Sequence, residues 1–284
     1  MVNRMFTDTH CHLLTMERAG INIDDFFGSL SDVKDGFLVD IGTRPDDLNN
    51  RMRFSETVKK YSPDFDYLYF SAGIWPDDEY IANPAQSVET LKNCIKPALE
   101  QKNTHLCAIG ECGVDRHYNT SDKGQAFLHN EDELFAAQIE LARQLNLPLI
   151  VHSRDDFDCT YRILKNSGWE KVVIHCFSYG TKEAGAFLDA GYYISLCGSI
   201  TFGGKSRQEE SRKLINYIPR DRLFVETDSP YMAPVPCRGK TNTPLLISHT
   251  YDFIASAMGI SAQELNLAVT ANANDFFKTN SLNM

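Results

Sequence analysis

Phe6-Thr7-Asp8-Thr9-His10-Cys11-His12 stands near the start of a 284-residue chain, an apolar-led run that closes on two histidines one residue apart. On a β-strand, residues i and i+2 point to the same face, about 6.5–7 Å apart along the backbone. Both imidazoles could therefore reach one metal ion. The run is also the first of eight short apolar segments, each followed by a helical-looking stretch: 5–9, 36–41, 67–72, 106–110, 149–151, 172–174, 192–196 and 223–226. Several are nearly continuous Val, Ile, Leu, Phe and Tyr, the composition of parallel strands covered on their outer face.

The stretches between them carry helix signals. Pro45-Asp46-Asp47 opens a run to about Lys60, with the proline suited to a first turn. Asn130-Glu131-Asp132-Glu133 puts acids at the positive end of a helix to about Leu145, and Pro148 marks its stop. Asp155-Asp156 begins another that ends near Gly168, and Thr181 caps one that ends near Gly191. Eight βα units in series predict an α/β fold of the closed kind, a single (β/α)8 TIM barrel, which takes about 250 residues. A proline-rich loop at 229–236 follows the eighth strand. Two further helices are expected at 245–258 and 262–277, the first completing the barrel and the second an additional C-terminal helix, leaving a polar tail at 278–284. No low-complexity linker or repeat divides the chain, so 1–284 reads as one domain.

Composition narrows the function classes. With 43% hydrophobic and 23% charged residues the chain has the makings of a sizeable core. A net charge of −10 argues against a protein that coats nucleic acid electrostatically, and leaves room for an enzyme that grips a few phosphates in one pocket. The eight cysteines include no Cys-x-x-Cys pair, and a chain of this size needs no disulfides, so free thiols in a reducing compartment are expected. No apolar signal core or membrane-length run is present. The expectation is a cytoplasmic monomer with no membrane partner.

In such a barrel the active site lies at the C-terminal ends of the strands. There the sequence places His10 and His12 after strand one, Glu111 after strand four, His152 after five, His175 after six and Asp228 after eight. Each has a plain alternative: a satisfied core histidine, a salt-bridged acid, a turn-forming aspartate before Ser229-Pro230. Together, four histidines and two carboxylates at one end of five strands predict a site for hard or borderline divalent ions.

At this point the chain resembles the TatD-type metal-dependent deoxyribonuclease family, within the amidohydrolase-like barrels. The residues that carry the resemblance are Asp8-Thr9-His10-Cys11-His12-Leu13, Gly110-Glu111-Cys112-Gly113-Val114-Asp115, Pro148-Leu149-Ile150-Val151-His152-Ser153-Arg154 and His175-Cys176-Phe177-Ser178. They continue with Gly191-Tyr192-Tyr193-Ile194-Ser195 and its following Gly198, then Glu226-Thr227-Asp228-Ser229-Pro230-Tyr231. Pro236-Cys237-Arg238-Gly239-Lys240-Thr241-Asn242 and Asn272 before Phe276-Phe277 complete the set. These motifs run the length of the chain in order. The resemblance implies two divalent ions of the magnesium, manganese or zinc class, His10, His12 and Asp228 holding one, His152 and His175 the other, with Glu111 between them. It also implies hydrolysis of DNA phosphodiester bonds, commonly from a strand end.

The chemistry agrees with that implication. A phosphodiester is anionic, so its hydrolysis benefits from cations that neutralise its oxygens and acidify water. Asp228 and Glu111 are the catalytic candidates, Asp228 as the group that orients the attacking water and accepts its proton. Arg154, Arg238 and Lys240 are candidate phosphate contacts, with solvated surface charge as the alternative for Lys240. Cys11, Cys112 and Cys176 flank ligands and read as small barrel-wall residues.

Departures from the pattern concern substrate rather than metal. Gly73-Ile74-Trp75-Pro76 has tryptophan where the resembling chains often carry Gly-x-His-Pro, Arg116-His117 replaces the usual aromatic after Asp115, and Thr241 replaces a second basic residue. Trp75 reads either as a stacking ring for a base or as a packed aromatic. The competing enzyme class is hydrolysis of a carboxylic ester or amide, including an aminoacyl ester on RNA. Such barrels often bridge two metals with a carboxylated lysine, where this chain has Glu111. A non-catalytic binding protein is the third reading, and the intact ligand set argues against it.

Overall fold

The computed structural model describes residues 6–30, 36–63, 67–101 and 105–277. Eight strands form one sheet: β1 (Asp8–Cys11), β2 (Leu38–Asp40), β3 (Leu68–Ala72), β4 (Leu106–Asp115), β5 (Leu149–Arg154), β6 (Val172–Ile174), β7 (Tyr193–Leu196) and β8 (Leu223–Val225). Each pairs in parallel with the next, in chain order. The last gap is closed by backbone bonds from Asp228 N–H to the His10 carbonyl (2.9 Å) and from His12 N–H to the Ser229 carbonyl (2.8 Å). The seam of the barrel thus passes through three of the expected ligands. Helices fill the connections, and the (β/α)8 TIM barrel is the fold.

The strands are buried on both faces because helices pack against the outside while the inside fills with its own side chains. All ten residues of β4 are buried, as are Val39, Ile109, Val151, Ile174, Ile194 and Val225. The helix Ala262–Phe277, the additional C-terminal element, packs at the starts of β1, β7 and β8. Phe276 and Phe277 lie 5.3 and 5.9 Å from the ring of Phe224 in β8, and burying each such side chain contributes about 1.5–3 kcal/mol. Asn272 Nδ2 donates to the carbonyls of Arg220 (2.6 Å) and Leu223 (3.2 Å), and Asn266 Oδ1 accepts from Thr7 N–H (2.8 Å). Asn272, one of the motif residues, therefore acts at the end of the barrel opposite the ligands.

Three local differences from the expected elements have physical causes. First, the stretch 45–60 is two helices, Leu48–Arg51 and Phe54–Tyr61. Asp47 spends its carboxylate on the N–H groups of Thr43 and Arg44 and on Arg51, so the helix begins after it. Second, the helix expected from Asn130 starts earlier and spans Gln125–Leu145. Third, β4 and β5 run on to Asp115 and Arg154, paired residue for residue from Cys112–Val151 to Asp115–Arg154. Gly113 permits this: its φ is +151°, and a Cβ there would collide with the His152 carbonyl oxygen.

Behind the mouth, Arg51 is 1% exposed and pairs with Asp40 (2.9 Å) and Asp47 (2.8 Å). Asp40 in turn accepts from Leu13 N–H at 2.8 Å, fixing the helix Leu13–Arg18 that begins directly after His12. Among the described residues no helix is long and apolar enough to cross a membrane. The expected polar tail at 278–284 lies outside the described residues.

Candidate metal centre

Among the described residues, two of the three irregularities in the barrel's strand pairing fall at candidate ligands. Between Asp8 and Cys11 the pairing of β1 with β2 takes in one extra residue, and the same happens between Ile109 and Cys112 where β4 meets β5. A bulge breaks strict alternation and re-aims a side chain, and these two contain His10 and Glu111. His12 and His175 lie just past the ends of β1 and β6, and His152 lies within β5. Asp228 follows β8 with φ 55°, in the left-handed region, which aspartate enters more readily than most non-glycine residues but which still benefits from a hold by its surroundings. The flanking backbone bonds across the seam supply that hold.

Six donor groups come together. His10 Nε2 lies 3.2 Å from His12 Nε2, 3.2 Å from Glu111 Oε2 and 3.7 Å from Asp228 Oδ1. His12 Nε2 is 3.4 Å from Asp228 Oδ1. Glu111 Oε2 lies 2.9 Å from His175 Nε2, and that nitrogen is 3.2 Å from His152 Nδ1. Two compact sets emerge: His10, His12 and Asp228; and His10, Glu111 and His175. His152 adjoins the second set through His175. All except the half-buried His152 are buried.

This geometry fits a cation better than a hydrogen-bond network. Glu111 Oε2 is buried and makes no hydrogen bond of acceptable direction, although two imidazole nitrogens stand within 3.2 Å of it. Ring nitrogens that crowd a carboxylate without aiming an N–H at it are placed as lone-pair donors around a common centre. The mixed imidazole and carboxylate set suits zinc, manganese or magnesium.

Electrostatics point the same way. Burial would raise the pKa of Glu111, but His175 and His10 outweigh it and hold the carboxyl well below the usual range. Burial would likewise raise Asp228; His12, 3.4 Å away, and the nearby His10 and His175 lower it instead. Burial would lower His175, yet the Glu111 charge and then Glu226 push it well above the ordinary histidine value. Without a cation, protons on imidazole take over the work of balancing the carboxylates.

Three acids absent from the expected ligand set support the candidate ligands. Asp115 Oδ2 lies 2.8 Å from His152 Nε2, which turns His152 Nδ1 toward His175. Its Oδ1 accepts the N–H groups of His117 and Tyr118, at 3.0 Å each. Glu226 Oε1 stands 3.4 Å from His175 Nδ1 while accepting Cys176 N–H at 2.6 Å. Asp8 accepts from Thr227 N–H (2.9 Å), Thr227 Oγ1 (2.6 Å) and His10 N–H (3.2 Å), tying β1 to the segment that carries Asp228. Burial pushes Asp8 up to about 7. An acid on the outer nitrogen of a metal-facing histidine fixes its tautomer. Asp115 and Glu226 lie within the quoted motifs, but nothing local in the sequence ties either to a histidine.

The expected substrate contacts divide. Arg154 lines a cleft of about 1230 Å³ above the donors and lies over the Tyr118 ring at 5.4 Å. Arg238 and Lys240 are exposed in the loop after β8 and do not line that cleft. Arg238 stacks at 4.5 Å on Phe202, whose side chain does line it. Trp75 is half-buried in the cleft wall. Cys11 and Cys112 are buried wall residues as expected, but Cys176 faces the cleft and its Sγ lies 2.9 Å from Cys197 Sγ. Strand β6 has already ended at Ile174, and Cys176 has φ 44°, so alternation no longer applies there.

Comparison with known proteins places this architecture. Residues 7–278 match the family described as TatD related DNase. The uncharacterized metal-dependent hydrolase YcfH of Escherichia coli K12 is 36% identical over 275 residues, covering 93% of this chain and 92% of that protein. Its counterpart YabD of Bacillus subtilis is 30% identical over 278 residues, covering 97% and 100%. Among solved structures, the TatD homolog YJJV of E. coli superposes with a TM-score of 0.77 at 23% identity, over 96% of this chain and 98% of that one. A TatD family hydrolase from Entamoeba histolytica gives 0.78 at 17%, with coverage of 96% and 98%; at these identities the two show a shared fold. The chain belongs to the TatD related DNase family.

Proposed function

We propose that this chain, a metal-dependent hydrolase of the TatD family, cleaves phosphodiester bonds of DNA, working on single-stranded or frayed ends. The observation that carries the reading is the convergence of His10, His12, Glu111, His152, His175 and Asp228 at the floor of a cleft walled by arginine and aromatic side chains. Two divalent ions would be held there, one by His10, His12 and Asp228 and one by His152 and His175, with Glu111 between. Bound there, such ions supply charge neutralisation for the phosphate and acidify water enough to provide a nucleophile near neutral pH.

The chain's own residues do the rest. Asp228, held ionised by His12 and His10, orients the attacking water and accepts its proton at a carboxylate oxygen. Arg154, fixed over Tyr118, presents a planar guanidinium to phosphate oxygens. Tyr118 and Tyr231 offer exposed rings on the two sides of the donors, 57% and 54% exposed. The cleft also carries Arg18, Arg207 and Lys213 on its wall, a path for further backbone phosphates.

The test uses metal-stripped protein repleted in turn with magnesium, manganese and zinc, incubated with end-labelled single-stranded and duplex DNA. His152→Ala serves as the contamination control. Laddered products from wild type alone support the reading and give the cleavage polarity. No products with any metal, together with turnover of a carboxylic ester or of an aminoacyl ester on RNA, would replace it with the amidohydrolase reading.

A further inference from the structure

We infer that Trp75, with Tyr118, forms a stacking site for the nucleobase beside the scissile phosphate, and that this site selects unpaired strand ends. The inference rests on the nuclease reading and adds the contact by which the substrate is chosen. Trp75 lies just past the end of β3, after Gly73 and Ile74, and its backbone is pinned on both sides: its N–H donates to the Thr43 carbonyl (3.0 Å) and its carbonyl accepts Asp77 N–H (2.7 Å). The indole is therefore presented at the cleft from a fixed stem, half-buried, with its centroid 5.8 Å from the ring of His152. A base resting on it would lie within one nucleotide of the metal donors.

The ring contacts of Trp75 are angled, not stacked. Trp75 meets His152 at 72° and Tyr118 at 73°, both edge contacts. Among the described residues no ring lies parallel to the indole. A buried aromatic that served only packing would sit in the core cluster, and Trp75 does not belong to it. Tyr118 is 57% exposed and carries the Arg154 guanidinium against its ring, which puts a phosphate contact next to the aromatic pair. Tyr231 stands beside His12, 6.2 Å between centroids, and gives the opposite side of the donors its own exposed ring.

The residue type carries the rest. A histidine in this wall could ligate, titrate or donate from either nitrogen. Indole can neither ligate nor titrate. What it offers is a large π-face and one N–H, the properties that stacking on a base uses and that metal chemistry does not. A base stacked on Trp75 must first leave its neighbour in the duplex, so an unpaired or frayed end binds at a lower cost than a paired one. Base–aromatic stacking measured by truncation predicts that removing the ring weakens binding about 5- to 150-fold.

The chain has two tryptophans, Trp75 and Trp169, so Trp169→Phe makes Trp75 the sole indole reporter. Short single-stranded oligonucleotides would be titrated into this protein and into Trp75→Phe and Trp75→Ala variants, with either a normal or an abasic terminal nucleotide. Quenching of Trp75 emission by the base-bearing strand and weaker quenching by the abasic strand are expected. Trp75→Ala should raise KM for the base-bearing strand about 5- to 150-fold, with Trp75→Phe recovering part of the loss and the abasic strand discriminating little between the proteins. If DNA is bound and cleaved but Trp75→Ala matches wild type on base-bearing strands, the stacking site is refuted and the nuclease reading stands. If wild type neither binds nor cleaves any strand with any metal, both fall.

Discussion

Replacing Asp115 by asparagine tests the metal centre from one side chain back. Asp115 Oδ2 lies 2.8 Å from His152 Nε2, while its Oδ1 takes two backbone N–H groups at 3.0 Å each. As a carboxylate it accepts on both sides, so His152 carries its proton on Nε2 and keeps Nδ1 free as a lone pair. Asparagine has the same shape but one acceptor. If its oxygen stays with the two backbone N–H groups, its NH2 faces His152 Nε2 and drives the ring proton to Nδ1, where the lone pair is needed. If it flips, NH2 faces two donors. Loss of an outer partner of this type costs about 10–100-fold in metal affinity, or about 1.4–2.7 kcal/mol. The assay is calorimetric titration of stripped protein with zinc or manganese, wild type against Asp115→Asn, with circular dichroism to show that the barrel persists. Equal affinities in the two folded proteins would refute the assigned tautomer and the supporting role of Asp115.

Further outcomes follow from the same structure. Arg51→Met strands the buried carboxylate of Asp40, for which burial already exceeds the relief that Arg51 gives. It should cost about 3–5 kcal/mol in urea unfolding, and a loss under about 1 kcal/mol would show that the pair is not needed. Metal affinity should fall as pH drops. His175 has a raised pKa in the metal-free protein, so below that value a proton must leave before metal binds. Titrations at several pH values in buffers of different ionisation enthalpy should show proton release on binding, and pH-independent affinity with no release would contradict it. Gly113→Ala forces a Cβ into the His152 carbonyl at positive φ. It should destabilise the protein by more than about 1 kcal/mol and weaken metal binding, and a variant of wild-type stability and affinity would argue against the close approach of β4 to β5.

The strand order and the gathering of the candidate ligands at one mouth were readable because two simple signals coincided. Apolar runs such as Leu149–Val151 and Leu223–Val225 mark strands, and His152 and Asp228 fall just after them, where a barrel opens. What alternation could not show is how each side chain is aimed. The bulges at His10 and Glu111, the left-handed backbone of Cys176 and Asp228, and the extension of β4 past two glycines all depend on pairing with a distant strand. Asp115 was missed as a partner of His152 for that reason: a strand read as ending at Gly110 gives no cause to place Asp115 beside β5. Arg238 and Lys240 illustrate the opposite case. Their motif is plain in the sequence, yet a loop's direction is set by tertiary contacts, and here it carries both outside the cleft lining.

The proposed chemistry depends on divalent ions sitting among six named side chains. Anomalous diffraction from manganese-soaked crystals of this protein tests that directly. The expected result is peaks enclosed by His10, His12 and Asp228 and by Glu111, His152 and His175, lost in an Asp228→Asn, His152→Ala double variant. A map in which these side chains surround no peak, with manganese bound elsewhere or not at all, would contradict the metal centre and the hydrolytic mechanism built on it.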